Sequence, residues 1–154
     1  MNSIAIIGIG SPYGADQTGW QLVEMLKHDP ALQALTKGRA GFSTCPHPGL
    51  MLLDSMSGSD YSILIDAVEG GRRGNVILVG KHELLEDAAN LSTHNLGVKE
   101  VLLLGNQLNS LPQQIDLIGV EVGDISLRYQ PEPQTTRQIK HLVRQIVHTY
   151  LYSK

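Results

Sequence analysis

Residues 4–20, IAIIGIGSPYGADQTGW, combine an apolar run, a glycine-rich turn and the start of a helical pattern. The run at residues 3–9 is continuously apolar and rich in β-branched side chains, which is typical of a strand covered on both faces. From Thr18 the apolar residues recur at helical spacing, and this pattern stops near Pro30. We expect Gly8 and Gly10 to permit a tight exit from the strand. The stretch therefore predicts a strand, a loop and a helix, with Asp16 just before the helix.

The rest of the chain continues this alternation of strands and helices. Strands are predicted at residues 39–45, 61–68, 74–79 and 114–122, and helices at residues 50–56, about 96–103 and about 132–150. The hairpin-like spacing of the strand at residues 74–79 leaves its pairing direction open. The pattern predicts an α/β fold, a three-layer α/β/α sandwich with a mostly parallel, roughly five-stranded sheet.

Composition indicates a globular protein of one domain, residues 1–154, with 42% hydrophobic and 18% charged residues. The net charge of −3 argues against nucleic-acid binding through phosphate neutralisation. The single cysteine, Cys45, cannot form an internal disulfide, and no signal segment precedes the first strand, so we expect a cytoplasmic location. The first apolar run is too short to span a bilayer, and no membrane insertion is expected. The sequence does not indicate an oligomeric state.

Three side chains that suit metal binding follow or end predicted strands. Asp66 ends an apolar strand, where a buried carboxylate costs free energy unless it is paired, hydrogen-bonded or metal-bound. Asp16 and His94 each lie just before a predicted helix. Taken singly, each residue has a structural interpretation: a helix cap for Asp16, a loop cap for Asp66 and a surface histidine for His94. Because ligands of such sheets collect at the carboxyl ends of the strands, the three could together form a nickel or zinc site with open positions.

Two other kinds of site fit the sequence less well. The opening glycines are spaced G-x-G-x-x-x-G, and no acidic residue ends the next strand, so a nucleotide or dinucleotide site is the weaker interpretation. A cysteine nucleophile is the second weak candidate, because Cys45 has His47 nearby in sequence. The preferred interpretations are a partly buried strand-end cysteine and an exposed loop histidine. Glu121 is interpreted as an exposed strand residue or ion-pair partner. We expect the other four histidines to lie on the surface of helices or loops and assign them no role: His28, His82, His141 and His148.

The three segments, taken in order, resemble the maturation endopeptidases of nickel-iron hydrogenases. The family's first strand, glycine loop and helix correspond to GIGSPYGADQTGWQLVEML. Its strand ending in Asp-Ala before glycines corresponds to YSILIDAVEGG, and its Ser-x-His before a leucine-rich helix to LSTHNLGVKEVLLLG. The late strand QIDLIGVEVGDI is similar to the family's Ile-Gly-x-Glu segment.

This resemblance implies a protease that removes a C-terminal extension from the large-subunit precursor of a nickel-iron hydrogenase after nickel insertion. The nickel belongs to the substrate, and the resemblance implies that Asp16, Asp66 and His94 recognise it. Asp16 is the candidate catalytic base of an aspartyl-type endopeptidase. The family's acidic pair is here reduced to one carboxylate: anchoring on the helix at Gly19 selects Asp16, whereas an ungapped alignment from Gly10 selects Gln17. The shortened loop leaves open a non-catalytic nickel or maturation chaperone of the same fold.

Overall fold

The computed structural model describes residues 3–10, 17–46, 49–86, 97–124 and 126–153. It contains one five-stranded sheet and six helices within those ranges. The strands are β1 (Ile4–Ile9), β2 (Ala40–Cys45), β3 (Tyr61–Val68), β4 (Val76–Gly80) and β5 (Gln114–Glu121). The helices are α1 (Thr18–Lys27), α2 (Pro30–Thr36), α3 (Leu50–Met56), α4 (Lys81–Leu85), α5 (Gly97–Gln107) and α6 (Pro133–Tyr152).

The strands lie in the order β2-β1-β3-β5-β4, with β3 at the centre. β1, β2, β3 and β5 are parallel, and β4 joins the edge antiparallel to β5. This arrangement confirms the predicted, mostly parallel sheet. It also settles the direction of β4, which turns back after β3 but pairs with β5 instead of with β3. One antiparallel edge strand on a parallel sheet is a common arrangement.

Helices cover both faces of the sheet and confirm the three-layer sandwich. On the face called here the α1/α6 face, Leu22 of α1 and Val143 of α6 pack with Ile63 of β3. On the opposite face, called the α3/α5 face, Leu52 of α3 and Leu102 of α5 pack with Leu64 of β3. Every residue of β3 is buried, which explains its continuously apolar sequence.

Two short helices were not predicted from the sequence. Pro30 ends the pattern of α1 but occupies the first turn of α2, where its missing N–H costs nothing. α4 has only five residues, too few to show a helical period. Across the described ranges, no helix combines the length and apolar character that crossing a membrane requires.

Candidate functional site

Asp66 lies near the carboxyl end of the central strand. We call the side of the sheet where β1, β2, β3 and β5 end the carboxyl edge. The register places Asp66 beside Gly119 of β5, and the pairing of Ile65 with Gly8 places Ile9 of β1 on its other side. The side chain of Asp66 is completely buried. The sequence-based placement of this residue at the end of a buried strand is confirmed.

The side chain of Asp66 belongs to the α3/α5 face. Successive side chains of a strand alternate between faces, and Leu64, two residues earlier, packs in the α3/α5 cluster. The register neighbour Ile9 belongs to the same cluster, and Gly119 contributes no side chain. An ionisable group is thus fully buried on the face that carries the α3/α5 cluster, and a buried ionisable side chain at the end of a strand is a candidate for a functional role.

The other two predicted ligands, Asp16 and His94, lie outside the described residues. That Asp16, Asp66 and His94 lie close enough to bind one metal ion is therefore still a prediction. Within the described ranges, no cluster of three His, Cys, Asp or Glu side chains has a geometry that would hold a metal ion. The nearest described residues after Asp16 and His94 belong to the starts of α1 and α5.

The start of α1 lies against the carboxyl edge, directly behind Asp66. A Cβ atom on Gly19 would lie 2.4 Å from the carbonyl oxygen of Ile9 and 2.6 Å from that of Ile65. A Cβ atom on Gly8 would lie 2.4 Å from the carbonyl oxygen of Gly19. Only a pair of glycines permits this approach of helix and strand backbones. The second residue of α1 therefore lies beside the strand position that precedes Asp66.

The structure corrects the role expected for Gly8. Gly8 lies inside β1, and its missing side chain is needed for packing against α1, not for leaving the strand. The exit is made by Gly10, whose φ of 155° lies in a region that favours glycine. The N–H of Gly10 donates a hydrogen bond to the carbonyl oxygen of Cys45 at 3.2 Å, which ties the start of the loop to the end of β2.

α5 begins with Gly97, three residues after the third predicted ligand, His94. Val98, in the first turn, is buried in the α3/α5 cluster together with Leu64 and Ile9. The first turn of α5 therefore lies on the face toward which Asp66 projects.

Glu121 adds a second carboxylate at this edge. It ends β5, two residues after Gly119, so it shares the α3/α5 face with Asp66. It is half-buried instead of exposed as expected, and its Oε1 would lie 2.6 Å from a Cβ atom on Gly70. Gly70 also pairs with Gly123 in an isolated β-bridge. The Glu121 side chain therefore packs against the loop that follows β3.

The remaining candidates occupy structural or surface positions where the structure describes them. Cys45 ends β2 as predicted, but it is fully buried in the α3/α5 cluster instead of partly buried. His47 lies outside the described residues. Four histidines are exposed, as predicted, on helices or in the turn that follows α1: His28, His82, His141 and His148. His28 and His82 pair with glutamates one helical turn away, at 3.0 and 2.9 Å.

The fold is shared with known proteins of low sequence identity. An endopeptidase from Escherichia coli is 20% identical, with 94% of this chain and 89% of that chain covered and a TM-score of 0.69. The NiFe hydrogenase maturation protease HycI from Thermococcus kodakarensis KOD1 is 23% identical (95% and 92% covered, TM-score 0.67). The hydrogenase maturating endopeptidase HybD from Escherichia coli is 18% identical (98% and 93% covered, TM-score 0.63). At these identities the likeness shows the fold.

Sequence comparison supplies the family. A search among curated proteins gave no significant match. The family profile described as "HycI: Hydrogenase maturation protease" matches residues 48–149, a range that includes β3 with Asp66, α5 and β5. With most of its length matched to that profile and its fold shared with maturation endopeptidases, this chain belongs to the HycI family of hydrogenase maturation proteases.

Proposed function

We propose that this protease removes the C-terminal extension of a nickel-iron hydrogenase large-subunit precursor once nickel has been inserted. The nickel is part of the substrate, and Asp16, Asp66 and His94 recognise it. Family membership supports the proteolytic reaction on a hydrogenase. The observation that carries the choice of site is Asp66, a fully buried carboxylate on the central strand at the carboxyl edge. We place the reaction in the cytoplasm because the only cysteine of the chain can form no internal disulfide.

Chain connectivity supports the grouping of the three residues. Asp16 is three residues before Gly19, whose backbone contacts Ile65, the residue preceding Asp66. His94 is three residues before Gly97, where α5 begins on the α3/α5 face. Three peptide units span at most about 11 Å, so both side chains start within reach of the carboxyl edge.

Charge explains how the site would test whether nickel is present. Two carboxylates and an imidazole form a site with excess negative charge, and imidazole nitrogen and carboxylate oxygen are suitable ligands of nickel. A precursor without nickel would leave the carboxylates facing each other without a cation, which disfavours docking. A precursor with nickel would supply that cation and so would bind more tightly. Selection of the mature precursor would then follow from electrostatics alone.

The same arrangement supplies a route for hydrolysis. Nickel polarises the scissile carbonyl or lowers the pKa of a bound water molecule. Asp16 acts as the general base, because a carboxylate within hydrogen-bonding reach of the attacking water can accept its proton. Water then adds to the carbonyl carbon, its proton passes to Asp16, and the peptide C–N bond breaks as the leaving amine takes up a proton. Asp66, fixed on β3, serves as a ligand that does not move, and His94 binds as neutral imidazole.

Cleavage of nickel-loaded and nickel-free precursor tests this proposal. We expect the wild-type chain to cut only the loaded form, and Asp16→Asn, Asp66→Asn and His94→Ala to lose roughly a hundredfold or more in rate. His141→Ala, which changes an exposed histidine of α6, is the matched control and should retain the wild-type rate. Wild-type rates in the three site variants would remove them from the mechanism. Equal cutting of both precursor forms would remove the nickel requirement.

The two alternatives from the sequence make different predictions in the same assay. A nucleotide-binding domain would use the opening glycines for a ligand, but packing of β1 against α1 already accounts for Gly8, the first of them. A maturation chaperone would bind the nickel-loaded precursor and release it uncut. Mass spectrometry of the precursor after incubation distinguishes a chaperone from a protease, since only the protease shortens it.

A further inference from the structure

We propose that a cavity between the loop after β3 and the start of α6 binds a small oxyanion, either free phosphate or a carboxylate group of a peptide. Residues 72–75 line one side of this cavity, and Glu132, Gln134 and Thr135 line the other. We call it the loop–α6 cavity. Its volume of about 230 Å³ is below the roughly 300 Å³ at which pockets for whole small molecules begin, so it suits an anionic group of a few atoms. The inference goes beyond the function proposed above and does not depend on it.

Two arginines supply the positive charge of the loop–α6 cavity. Arg72 and Arg73 are both exposed, and both line the cavity. Glu132 lines it too, yet within the described residues neither arginine forms an ion pair with a carboxylate. Arg73 instead donates a hydrogen bond to the carbonyl oxygen of Arg128 at 3.3 Å and lies over the ring of Tyr129. Because two guanidinium groups outweigh one carboxylate, the charge of the cavity favours an anion.

The first turn of α6 adds N–H donors to the same cavity. α6 is 20 residues long, and its N-cap residue, Glu132, makes no side-chain hydrogen bond to this turn. Pro133 has no N–H, which leaves Gln134 and Thr135 as the donors of a turn whose N–H groups have no partner within the helix. Both residues line the loop–α6 cavity. These N–H groups and the helix dipole favour an anion at this end of α6.

A buried hydroxyl also lies beside the cavity. Tyr129 is only 5% exposed, and in the described part of the chain its hydroxyl has no hydrogen-bond partner. A Cβ atom on Gly74 would lie 3.5 Å from this hydroxyl and 2.9 Å from Oγ1 of Thr135. The Tyr129 hydroxyl therefore points toward the space that Gly74 leaves open in the cavity lining. Buried hydroxyls ordinarily have a partner, and an oxyanion that reaches this space would supply the acceptor.

The loop that carries the arginines is held in place by its own hydrogen bonds. The N–H of Gly74 donates to the carbonyl oxygen of Glu121 at 2.8 Å, and the hydroxyl of Thr135 donates to the carbonyl oxygen of Gly74 at 3.2 Å. The first bond ties the loop to β5, and the second ties it to α6. An anion would thus meet a formed site, so that little binding free energy is lost in ordering the loop.

Titration with inorganic phosphate, followed through the backbone amide NMR signals, tests the site. We expect the signals of Gly74, Gln134 and Thr135 to shift and saturate, whereas chloride at the same ionic strength should not shift them. Arg72→Gln should raise the Kd for phosphate about tenfold, because one of the two cationic groups is lost. Arg137→Gln is the matched control and should keep the wild-type Kd, since it removes the same charge from an exposed position of α6 that does not line the cavity.

Tyr129→Phe separates a ligand-binding hydroxyl from a structural one. In the absence of phosphate the melting temperature should stay at the wild-type value, because the hydroxyl has no hydrogen bond within the described residues to lose. The Kd for phosphate should rise several-fold, because an acceptor on the anion loses its donor. Non-saturable shifts in the wild-type chain would overturn the site. A wild-type Kd in both Arg72→Gln and Tyr129→Phe would also overturn it.

Competition between phosphate and the nickel-loaded precursor distinguishes the two sources of the oxyanion. If a carboxylate of the precursor occupies the loop–α6 cavity, phosphate should raise KM in the wild-type chain at unchanged kcat, and the effect should be lost in Arg72→Gln. If free phosphate is the ligand, KM should be independent of phosphate while the NMR signals still saturate. Failure of the wild-type chain to cut the precursor would refute the proposed function, and the NMR titration would still decide the site.

Discussion

Replacement of Gly19 by alanine should destabilise the protein, because the added Cβ atom forces the start of α1 away from the carboxyl edge. The added Cβ atom would lie 2.4 and 2.6 Å from two carbonyl oxygens and 3.1 Å from the N atom of Ile9. All three are backbone atoms, so no side chain can turn away. Restoring ordinary contacts of 3.4 Å requires α1 to lift by about 1 Å. Overpacking of this kind costs about 3 kcal/mol, and the helix preference of alanine recovers about 1 kcal/mol.

The expected net loss of about 2 kcal/mol corresponds to a melting temperature lower by roughly 4–8 °C, measured by circular dichroism. Gly41→Ala on β2 is the control, because a Cβ atom there meets nothing within 4 Å. Gly8→Ala disturbs the same contact between α1 and β1. The double variant should therefore lose less stability than the sum of the losses in the two single variants. Displacement of the α1 start by about 1 Å should also reduce cleavage on the order of a hundredfold. A melting temperature and a cleavage rate equal to wild type in Gly19→Ala would refute this reasoning.

Three further predictions concern ion pairs and hydrogen bonds away from the carboxyl edge. Arg144→Met should lower the free energy of unfolding in urea by about 2 kcal/mol, because Asp29 is only 4% exposed and loses two hydrogen bonds of 2.8 and 2.6 Å. The loss stays below that of a fully buried ion pair because Arg144 is 39% exposed. Hydrogen bonding to Arg144 holds the pKa of Asp29 below its usual value of 3.8, so its stabilisation is complete at neutral pH and is lost as pH falls through the lowered pKa. The stability difference between wild type and Asp29→Asn should therefore shrink in unfolding curves below about pH 4, and a constant difference would contradict it. Burial, together with Asp116, raises the pKa of Tyr61, which stays a donor to that carboxylate. Tyr61→Phe should lose about 1–2 kcal/mol of stability while the cleavage rate is unchanged, since Tyr61 begins β3 at the end opposite Asp66.

The sequence predicted the elements whose signals are local. β3 and α3 have the predicted bounds, because YSILIDAV is a continuous apolar run and Leu50–Met56 is a short apolar stretch after Pro48-Gly49. The partner of β4 could not be derived, because its short separation from β3 favours a hairpin. The preference of β4 for β5 depends on packing between distant segments. The contact of Gly8 with Gly19 is also tertiary, so the sequence showed two glycines but not what they approach.

The candidate site was predicted in part. Asp66 was identified because a carboxylate at the end of an apolar strand stands out, and its burial and location agree with that prediction. The family match confirms the resemblance itself, while the roles and the grouping of Asp16 and His94 stay predictions.

The most direct test of the central claim is the position of nickel in a complex of the wild-type chain with nickel-loaded precursor in which cleavage is blocked. Anomalous diffraction at the nickel edge locates the ion independently of the protein atoms. We predict one nickel peak at bonding distance from side chains of Asp16, Asp66 and His94, with the scissile bond beside it. A nickel ion bonded only to the precursor, with none of the three side chains in contact, would contradict the account.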